Sequence, residues 1–271
     1  MSYRMFLIIS ISFLFLVSSY YVHGFIKGQY TWNSVQDAFL VNDKMITVAT
    51  YNIQYGKGQD GRVDIGRTIE KLKSLDAQVI RLQEVERFSV RSGFNDQVKW
   101  MAEALDMYAT FYSSLSFPGL YYGNAILSVF PIEDTKVLHF NNRVEDRSAI
   151  ISTLKVSENE RITVINTHLG LNYNEREKAI MQIKEKLAGL EDPVLLMGDL
   201  NSTPSMKEYK IWAKWVTKSN KGIPMVTYYK HDWQIDYIFH SDQFAVEDIR
   251  VMESETSDHY PLIGVFYLSG K

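Results

Sequence analysis

Gly198-Asp199-Leu200-Asn201-Ser202-Thr203-Pro204 follows directly on the apolar run Val194-Leu195-Leu196-Met197, a pattern that buries as a strand. Asp199 and Asn201 lie just past that run, two residues apart, so a backbone that stays extended puts both side chains on one face. Near the C-terminus, Ser257-Asp258-His259-Tyr260-Pro261-Leu262 places an Asp-His pair next to another apolar run. Carboxylates, an amide and an imidazole collected where strands run out suit a hard metal ion and an activated water. They do not suit an apolar core.

Working outward, 271 residues suffice for one large domain or two small ones. With 46% hydrophobic and 23% charged residues, the chain is globular and not disordered. A net charge of -3 gives no global pull toward nucleic acid. That argues against a tight DNA-binding protein, but not against a nuclease whose metal screens the phosphate locally. The chain has no cysteine, which excludes disulfides, thiolate zinc sites and a lipoprotein anchor.

After Arg4, residues 5–22 form an uncharged run of 18, dense in Phe, Leu and Ile. A basic start before an apolar core is the pattern of a secretory signal, with Ser19 and Gly24 as small residues at two cleavage points. Eighteen apolar residues also reach the lower end of a membrane span. Residues 1–24 therefore read as a signal peptide or an N-terminal membrane anchor, 25–41 as a linker, and 42–271 as one catalytic domain. Either version of the N-terminus exports the rest, secreted or anchored to the outer face of the cytoplasmic membrane.

Strand-like runs fall at 45–51, 79–82, 125–130, 149–156, 162–166, 194–197, 235–239, 245–251 and 262–268. Helical spacing marks 65–75, 96–105 and 174–190. Many strands with a few intervening helices fit two packed sheets with helices outside.

Polar residues recur at the ends of these strands: Asn52, Glu84, His168, Asp199 with Asn201, and Asp258 with His259. Asp236 stands inside the apolar Ile235-Asp236-Tyr237-Ile238-Phe239, where a carboxylate is costly unless paired, and a histidine is a natural partner. Singly each has a bland alternative: Asn52 as a turn cap, Glu84 on a solvated edge, Asp199 opening the next turn. As a set they demand many independent coincidences.

The ordered motifs Tyr51-Asn52-Ile53-Gln54, Leu82-Gln83-Glu84-Val85, Gly123-Asn124-Ala125-Ile126-Leu127-Ser128, Asn166-Thr167-His168-Leu169, Gly198-Asp199-Leu200-Asn201, Ile235-Asp236-Tyr237-Ile238-Phe239 and Ser257-Asp258-His259-Tyr260-Pro261 resemble those of the endonuclease/exonuclease/phosphatase superfamily. That superfamily includes DNase I-like nucleases, bacterial sphingomyelinases and inositol polyphosphate 5-phosphatases. The resemblance covers about residues 45–268. It implies an α+β fold, a four-layer αββα sandwich of two packed mixed β-sheets with outer helices, with the site at one end.

The resemblance further implies an exported, divalent-metal-dependent phosphoesterase. Glu84 would be the main Mg²⁺ ligand, helped by Asn52 and Asp258, with Mn²⁺ as a substitute. Asp199 would orient or deprotonate the attacking water, and Asn201 would hold a phosphate oxygen. His259, oriented by Asp236, would polarise the phosphate or help activate water. His168 would contact the phosphate and protonate the leaving oxygen. Asn124 reads as lining the site or as a turn residue. Arg147 reads as a phosphate grip or as part of a solvated charge cluster. Arg91, Asp96 and Gln97 resemble a loop of one bacterial branch, and His23, His139, His231 and His240 have no assigned role.

A Lys follows the Ser-Asp-His motif in inositol 5-phosphatases, whereas Tyr260 follows here, which is similar to the sphingomyelinase and DNase I branches. A phosphodiester is therefore favoured, as a lipid headgroup or as extracellular nucleic acid, with a phosphomonoester as the third option. A lipid substrate would use exposed aromatics, for which Trp212, Trp215, Tyr228, Tyr229 and Trp233 are candidates, and membrane association through residues 5–22. A nuclease would use Lys207, Lys210, Lys214, Lys218 and Lys221 along its rim, although a solvated helix face explains these more simply. An inactive binding module fits poorly, because every expected ligand is present. The chain is expected to act as a monomer.

Overall fold

The computed structural model describes residues 30–32, 44–117, 120–212 and 214–269. The signal or anchor expected at 1–24 and most of the 25–41 linker lie outside the described residues.

Among the described residues thirteen strands form two sheets. The first holds β1 (Tyr30–Trp32), β2 (Met45–Asn52), β3 (Val79–Arg87), β4 (Tyr108–Phe117), β5 (Leu120–Ser128), β12 (Phe244–Val251) and β13 (Leu262–Leu268), ordered β1-β4-β5-β3-β2-β13-β12. The second holds β6 (Ile132–Phe140), β7 (Arg147–Lys155), β8 (Arg161–His168), β9 (Val194–Asp199), β10 (Thr217–Lys218) and β11 (Asp236–His240), ordered β10-β11-β9-β8-β7-β6. The pairs β2–β3 and β8–β9 are parallel and the others antiparallel, so both sheets are mixed.

Each parallel pair requires a crossover, and each crossover is a helix. Helix α1 (Ile65–Ser74) joins β2 to β3 and is N-capped by Asp64, which accepts from the Arg67 backbone N–H. Helix α2 (Gln97–Leu105) joins β3 to β4 and is capped by Asp96. Helix α3 (Tyr173–Leu187) joins β8 to β9 and is capped by Asn172. Each cap contributes about 1 kcal/mol. A single further turn, α4 (Tyr209–Trp212), follows β9.

Alternation along the strands makes the four layers. On the first sheet's outer face, Ala49, Tyr51, Ile80, Leu82, Phe111 and Leu127 bury against Leu72, Val98 and Met101 of α1 and α2. On the second sheet's outer face, Ile151, Ile165, Leu196 and Phe239 bury against Ala179, Ile180 and Ile183 of α3. Between the sheets lie Ile46, Val48, Val79, Ile126, Val164, Leu195, Met197, Ile238 and Phe266. This is the expected αββα sandwich.

The inward-facing rows position the site because each turns polar toward one end. Along β2 the row runs Ile46, Val48, Thr50, Asn52, and along β8 it runs Ile162, Val164, Asn166, His168. Along β9 it runs Leu195, Met197, Asp199, and in β11 Ile238 precedes Asp236 toward that same end. The apolar ends weld the sheets together, and the polar ends meet where the sandwich opens to solvent.

Besides the two-residue strand β10 and the single turn α4, three parts of the molecule differ from the sequence expectation. β6 pairs only with β7 at the sheet edge, and its charged residues Glu133, Asp134 and Lys136 break the apolar signal. β4 carries three serines and a register shift at Ser113/Leu115, which hides its strand pattern. Within the segment read as linker, Tyr30–Trp32 adds a short edge strand against β4.

Candidate active site

Asp236, Asp199 and His168 occupy one row across the second sheet, because Asp236 is register partner to Asp199 and Asp199 to His168. The row depends on Gly198 at φ +142, where an added Cβ would lie 1.9 Å from the Thr167 carbonyl oxygen. Only glycine lets β9 approach β8 this closely. Asp199 Oδ2 faces three nitrogens: Asn52 Nδ2 at 3.2 Å, His168 Nε2 at 3.4 Å and His259 Nε2 at 3.7 Å. Its Oδ1 accepts from the Asn201 backbone N–H at 2.9 Å. Burial pushes the Asp199 carboxyl above the usual carboxylate range, the charge of Asp236 adds to this, and His259 with the Asn201 and Asn52 donors offsets part of it.

The two histidines are held in different protonation states. Arg147 Nη1 lies 3.3 Å from His168 Nδ1, and a guanidinium only donates, so Nδ1 accepts and the imidazole proton sits on Nε2. Burial first, then the charges of Arg147 and His259, hold His168 well below the ordinary imidazole range, so the ring is neutral. His259 Nδ1 donates to Asp236 Oδ2 at 2.8 Å. Burial lowers the affinity of His259 for a proton, but the charge and hydrogen bond of Asp236, then Asp199 and Asp258, outweigh it and hold this ring above the ordinary range. Asp236 thus has the histidine partner its apolar segment demands, while its Oδ1 is buried without a hydrogen bond.

The first sheet contributes differently. The β3–β5 register shifts between Leu82 and Val85, and within that bulge Glu84 takes φ +58, at a cost of about 1–3 kcal/mol. The bulge is pinned from the opposite sheet. Asn166 Nδ2 donates to the Leu82 and Ala125 carbonyls at 2.9 and 2.7 Å, and Gln83 Nε2 donates to Asn166 Oδ1 at 2.7 Å. Half-buried Glu84 is thereby delivered to Asn52, whose Nδ2 donates to Glu84 Oε1 at 3.0 Å. The Asn52 Oδ1 accepts from the Gln54 backbone N–H at 3.0 Å, so the turn-cap role is real and coexists with the site role.

Asp258 Oδ2 accepts from Lys230 Nζ at 2.8 Å and Gln54 Nε2 at 3.0 Å. Gln54 stands in a quoted motif, but Lys230 is a lone loop lysine that no sequence signal marks. The carboxylates fit a hard divalent cation: Glu84 and Asp258 offer oxygens, no thiolate competes, and Glu84 has no ion-pair partner among the described residues, whereas Asn52 turns its Nδ2 to Glu84 and its oxygen to the Gln54 N–H. Asp199, Asp236 and His259 also offer ligand atoms within 4.8 Å of one another. In that trio, however, the imidazole is already bonded to Asp236.

Other expectations resolve as follows. Asn201 takes φ +48, so the backbone does not stay extended past Asp199, and its Nδ2 donates to the Leu169 carbonyl at 2.8 Å. Asn124 lies inside β5 and not in a turn, donating to the Ser148 carbonyl and hydroxyl, each at 3.2 Å. Arg147 is buried and not part of a solvated cluster, bonded to Glu145 Oε1 at 2.6 Å. Asp96 holds Arg87 in a buried bidentate pair, Gln97 ties Glu86 N–H to the Tyr55 carbonyl, and Arg91 pairs with Glu86 over the Tyr55 ring. Trp212 is fully buried and offers no surface, and half-buried Trp215 packs against it. Tyr228 packs 5.0 Å from the His259 ring, and Trp233 is exposed beyond it.

A family model, Endonuclease/Exonuclease/phosphatase family, matches residues 49–259. No curated protein matches the chain. An endonuclease/exonuclease/phosphatase from Beutenbergia cavernae DSM 12333 is similar in structure, at TM-score 0.71 and 21% identity over 83% of this chain and 72% of its own. One from Bacteroides vulgatus aligns at TM-score 0.71 and 18% identity over 83% of this chain and 99% of its own. A mannosyl-6-phosphatase from Bacteroides thetaiotaomicron aligns at TM-score 0.63 and 19% identity over 82% of this chain and 99% of its own. At these identities the likeness is one of fold.

Proposed function

Because the chain belongs to the endonuclease/exonuclease/phosphatase family, we propose that it hydrolyses a phosphate ester with the help of a divalent metal ion, a diester in preference to a monoester. One observation carries the reading. Asp199 Oδ2 collects donors from β2, β8 and the loop before β13, at the end of the sandwich where Glu84 has no ion-pair partner among the described residues. A buried carboxylate raised in proton affinity is a competent acceptor for the proton of an attacking water.

Mg²⁺ held by Glu84 with Asn52 and Asp258 would neutralise charge on the phosphate oxygens. Asp199 orients the water and takes its proton as the new O–P bond forms and the leaving oxygen departs. His259, carrying both ring protons under the charge of Asp236, directs Nε2–H at the phosphate and is the better source of a proton for the leaving oxygen. His168 is the weaker acid: with Nδ1 occupied by Arg147, its neutral ring contributes an Nε2–H hydrogen bond. This revises the general-acid role expected for it.

The test is turnover of bis-p-nitrophenyl phosphate and p-nitrophenyl phosphate by the purified full chain, with Mg²⁺ and with EDTA. EDTA-sensitive hydrolysis, faster on the diester, is expected. Faster hydrolysis of the monoester would keep the enzyme and reassign it toward the monoesterase chemistry of the mannosyl-6-phosphatase neighbour. Metal-independent turnover, or none with Mg²⁺ or Mn²⁺, would overturn the proposal.

A further inference from the structure

The large apolar side chains that remain exposed are not spread evenly. Val90 and Phe94 lie in the loop after β3, Val144 in the loop before β7, Leu171 in the loop after β8, and Ile223 and Trp233 in the loop before β11. All of these loops are at the end of the sandwich that carries Glu84, Asp199 and His168. Among the described residues, the exposed large apolar side chains away from that end are Trp100 and Met181 on helices and Tyr267 near the end of β13. The two most exposed, Val144 at 94% and Leu171 at 78%, flank a hollow of about 410 Å³ beside Arg147, lined by polar groups of Asn142, Glu145 and Asn172. Val144 and Leu171 form part of the hollow's own wall, so its mouth is apolar while Arg147, Asn142 and Asn172 offer polar groups to a headgroup, a surface suited to a bilayer interface.

The entry of the chain into the fold points the same way. β1 is antiparallel to β4, β4 to β5 and β5 to β3, so β1 runs away from the site end and the chain reaches Tyr30 from that end. Tyr30, Phe111, Ala125 and Leu82 share one row, which puts the entry level with the residue two before Glu84. Seven residues, 23–29, separate the uncharged apolar run 5–22 from Tyr30. Fully extended they span at most about 25 Å. To present the opposite end to a membrane holding residues 5–22, this short tether would have to double back along the side of the domain.

We propose that residues 5–22 stay in a bilayer, that the site end docks on it through this apolar rim, and that the ester cleaved is in a lipid headgroup. The substrate clause rests on the phosphoesterase function proposed above. Trp233 and Phe94 sit at the headgroup level, and the headgroup enters the hollow beside Arg147 toward Asp199.

The chain has no cysteine, so single labels can be placed cleanly. Full chain carrying Phe94→Cys, Leu171→Cys or Asn159→Cys, each coupled to an environment-sensitive dye, is reconstituted into equimolar phosphatidylcholine/phosphatidylglycerol vesicles with or without brominated phosphatidylcholine. Blue-shifted emission quenched by the brominated lipid is expected at positions 94 and 171. The label at 159, in the turn between β7 and β8, should report water. Labels at 94 and 171 as wet as the one at 159, or recovery of a soluble chain lacking residues 5–22, would overturn the docking.

For the substrate, Val90→Asp combined with Phe94→Asp, exposed on the rim but outside the hollow, should lower hydrolysis of sphingomyelin or phosphatidic acid in the same vesicles by about tenfold, leaving bis-p-nitrophenyl phosphate turnover unchanged. Unchanged or equal effects on both substrates would overturn the lipid assignment. Inserted labels on a chain that hydrolyses nothing would locate the failure in the enzymatic function, with the docking intact.

Discussion

The two sheets bring unlike halves to one site. On the β9 side, Asp199, Asp236 and His168 are buried, and Asp199 and His168 are each fixed by more than one partner. On the β3 side, Glu84 is half-buried on a left-handed bulge residue and held by a single amide. The first half is a densely bonded network, open only at Asp236 Oδ1 and Arg147 Nε, that holds protons in place before any ligand arrives. The second is a carboxylate on a left-handed bulge residue with one hydrogen-bond donor, which under the proposed function a divalent cation would complete. Pre-organisation and incompleteness are thus segregated by sheet, and the two halves should fail in different ways when disturbed.

The largest loss should come from the densely bonded half. Asp199→Ala removes the proposed proton acceptor and leaves four donors, counting the Asn201 N–H, without it, so turnover should fall by at least ~10²-fold with Mg²⁺ at any concentration. Steady-state kinetics beside circular dichroism checks this, and near-normal turnover from a folded variant would sink the assignment. Glu84→Gln should fail differently, with Mg²⁺ affinity weakened by about 10–100-fold and much of the turnover recovered at high Mg²⁺. A metal titration of both variants sharpens the contrast. Equal rescue of the two by metal would erase it.

A smaller effect tests the proton bookkeeping around His259. Asp236 is the largest influence raising the His259 pKa against burial, so in Asp236→Asn, with only Asp199 and Asp258 left to oppose burial, the ring loses its proton at lower pH. The alkaline limb of turnover should move to lower pH. The stability sign follows from the same shift. A histidine raised in the folded state stabilises fully below the unfolded value of about 6.5, and that contribution is lost as pH rises through the raised value. The melting-temperature gap between wild type and variant should therefore be widest in mild acid and narrow in alkali. A gap that widens with pH would show that the Asp236 charge does not hold the ring protonated.

Much of this arrangement was legible because apolar rows end in polar residues. Along β2, β8 and β9 the sequence itself shows Ile46-to-Asn52, Ile162-to-His168 and Leu195-to-Asp199 turning from core to site. The outlying strands were not legible: β6 and β1 are sheet edges, each paired on one side alone, so their composition carries little apolar periodicity. Within the site, alternatives that looked exclusive proved joint. Asn52 and Asp199 each close a local turn with one oxygen and face the site with the other side-chain atom. What no local pattern could reveal was contact between distant segments: Lys230 on Asp258, Asn166 on the β3 bulge, and Arg147 under His168.

That last contact gives the mildest and most specific way to break the densely bonded half. Arg147 makes no hydrogen bond to Asp199, and its effect on the chemistry runs through His168. Arg147→Met keeps much of the buried bulk but removes the donor that reserves Nδ1 and the charge that disfavours a protonated ring. Burial, the larger influence, remains, so the His168 pKa should rise while staying below the ordinary range. Nitrogen chemical shifts of the labelled imidazole should change from a single Nε2–H tautomer to a mixture. Turnover should fall by about tenfold, as expected for one misdirected hydrogen bond, without a change in Mg²⁺ affinity. A single unchanged tautomer in the variant would mean that the β8–β9 pairing and Asp199 fix the ring without help. Arg147 would then serve the fold through Glu145 and Tyr122.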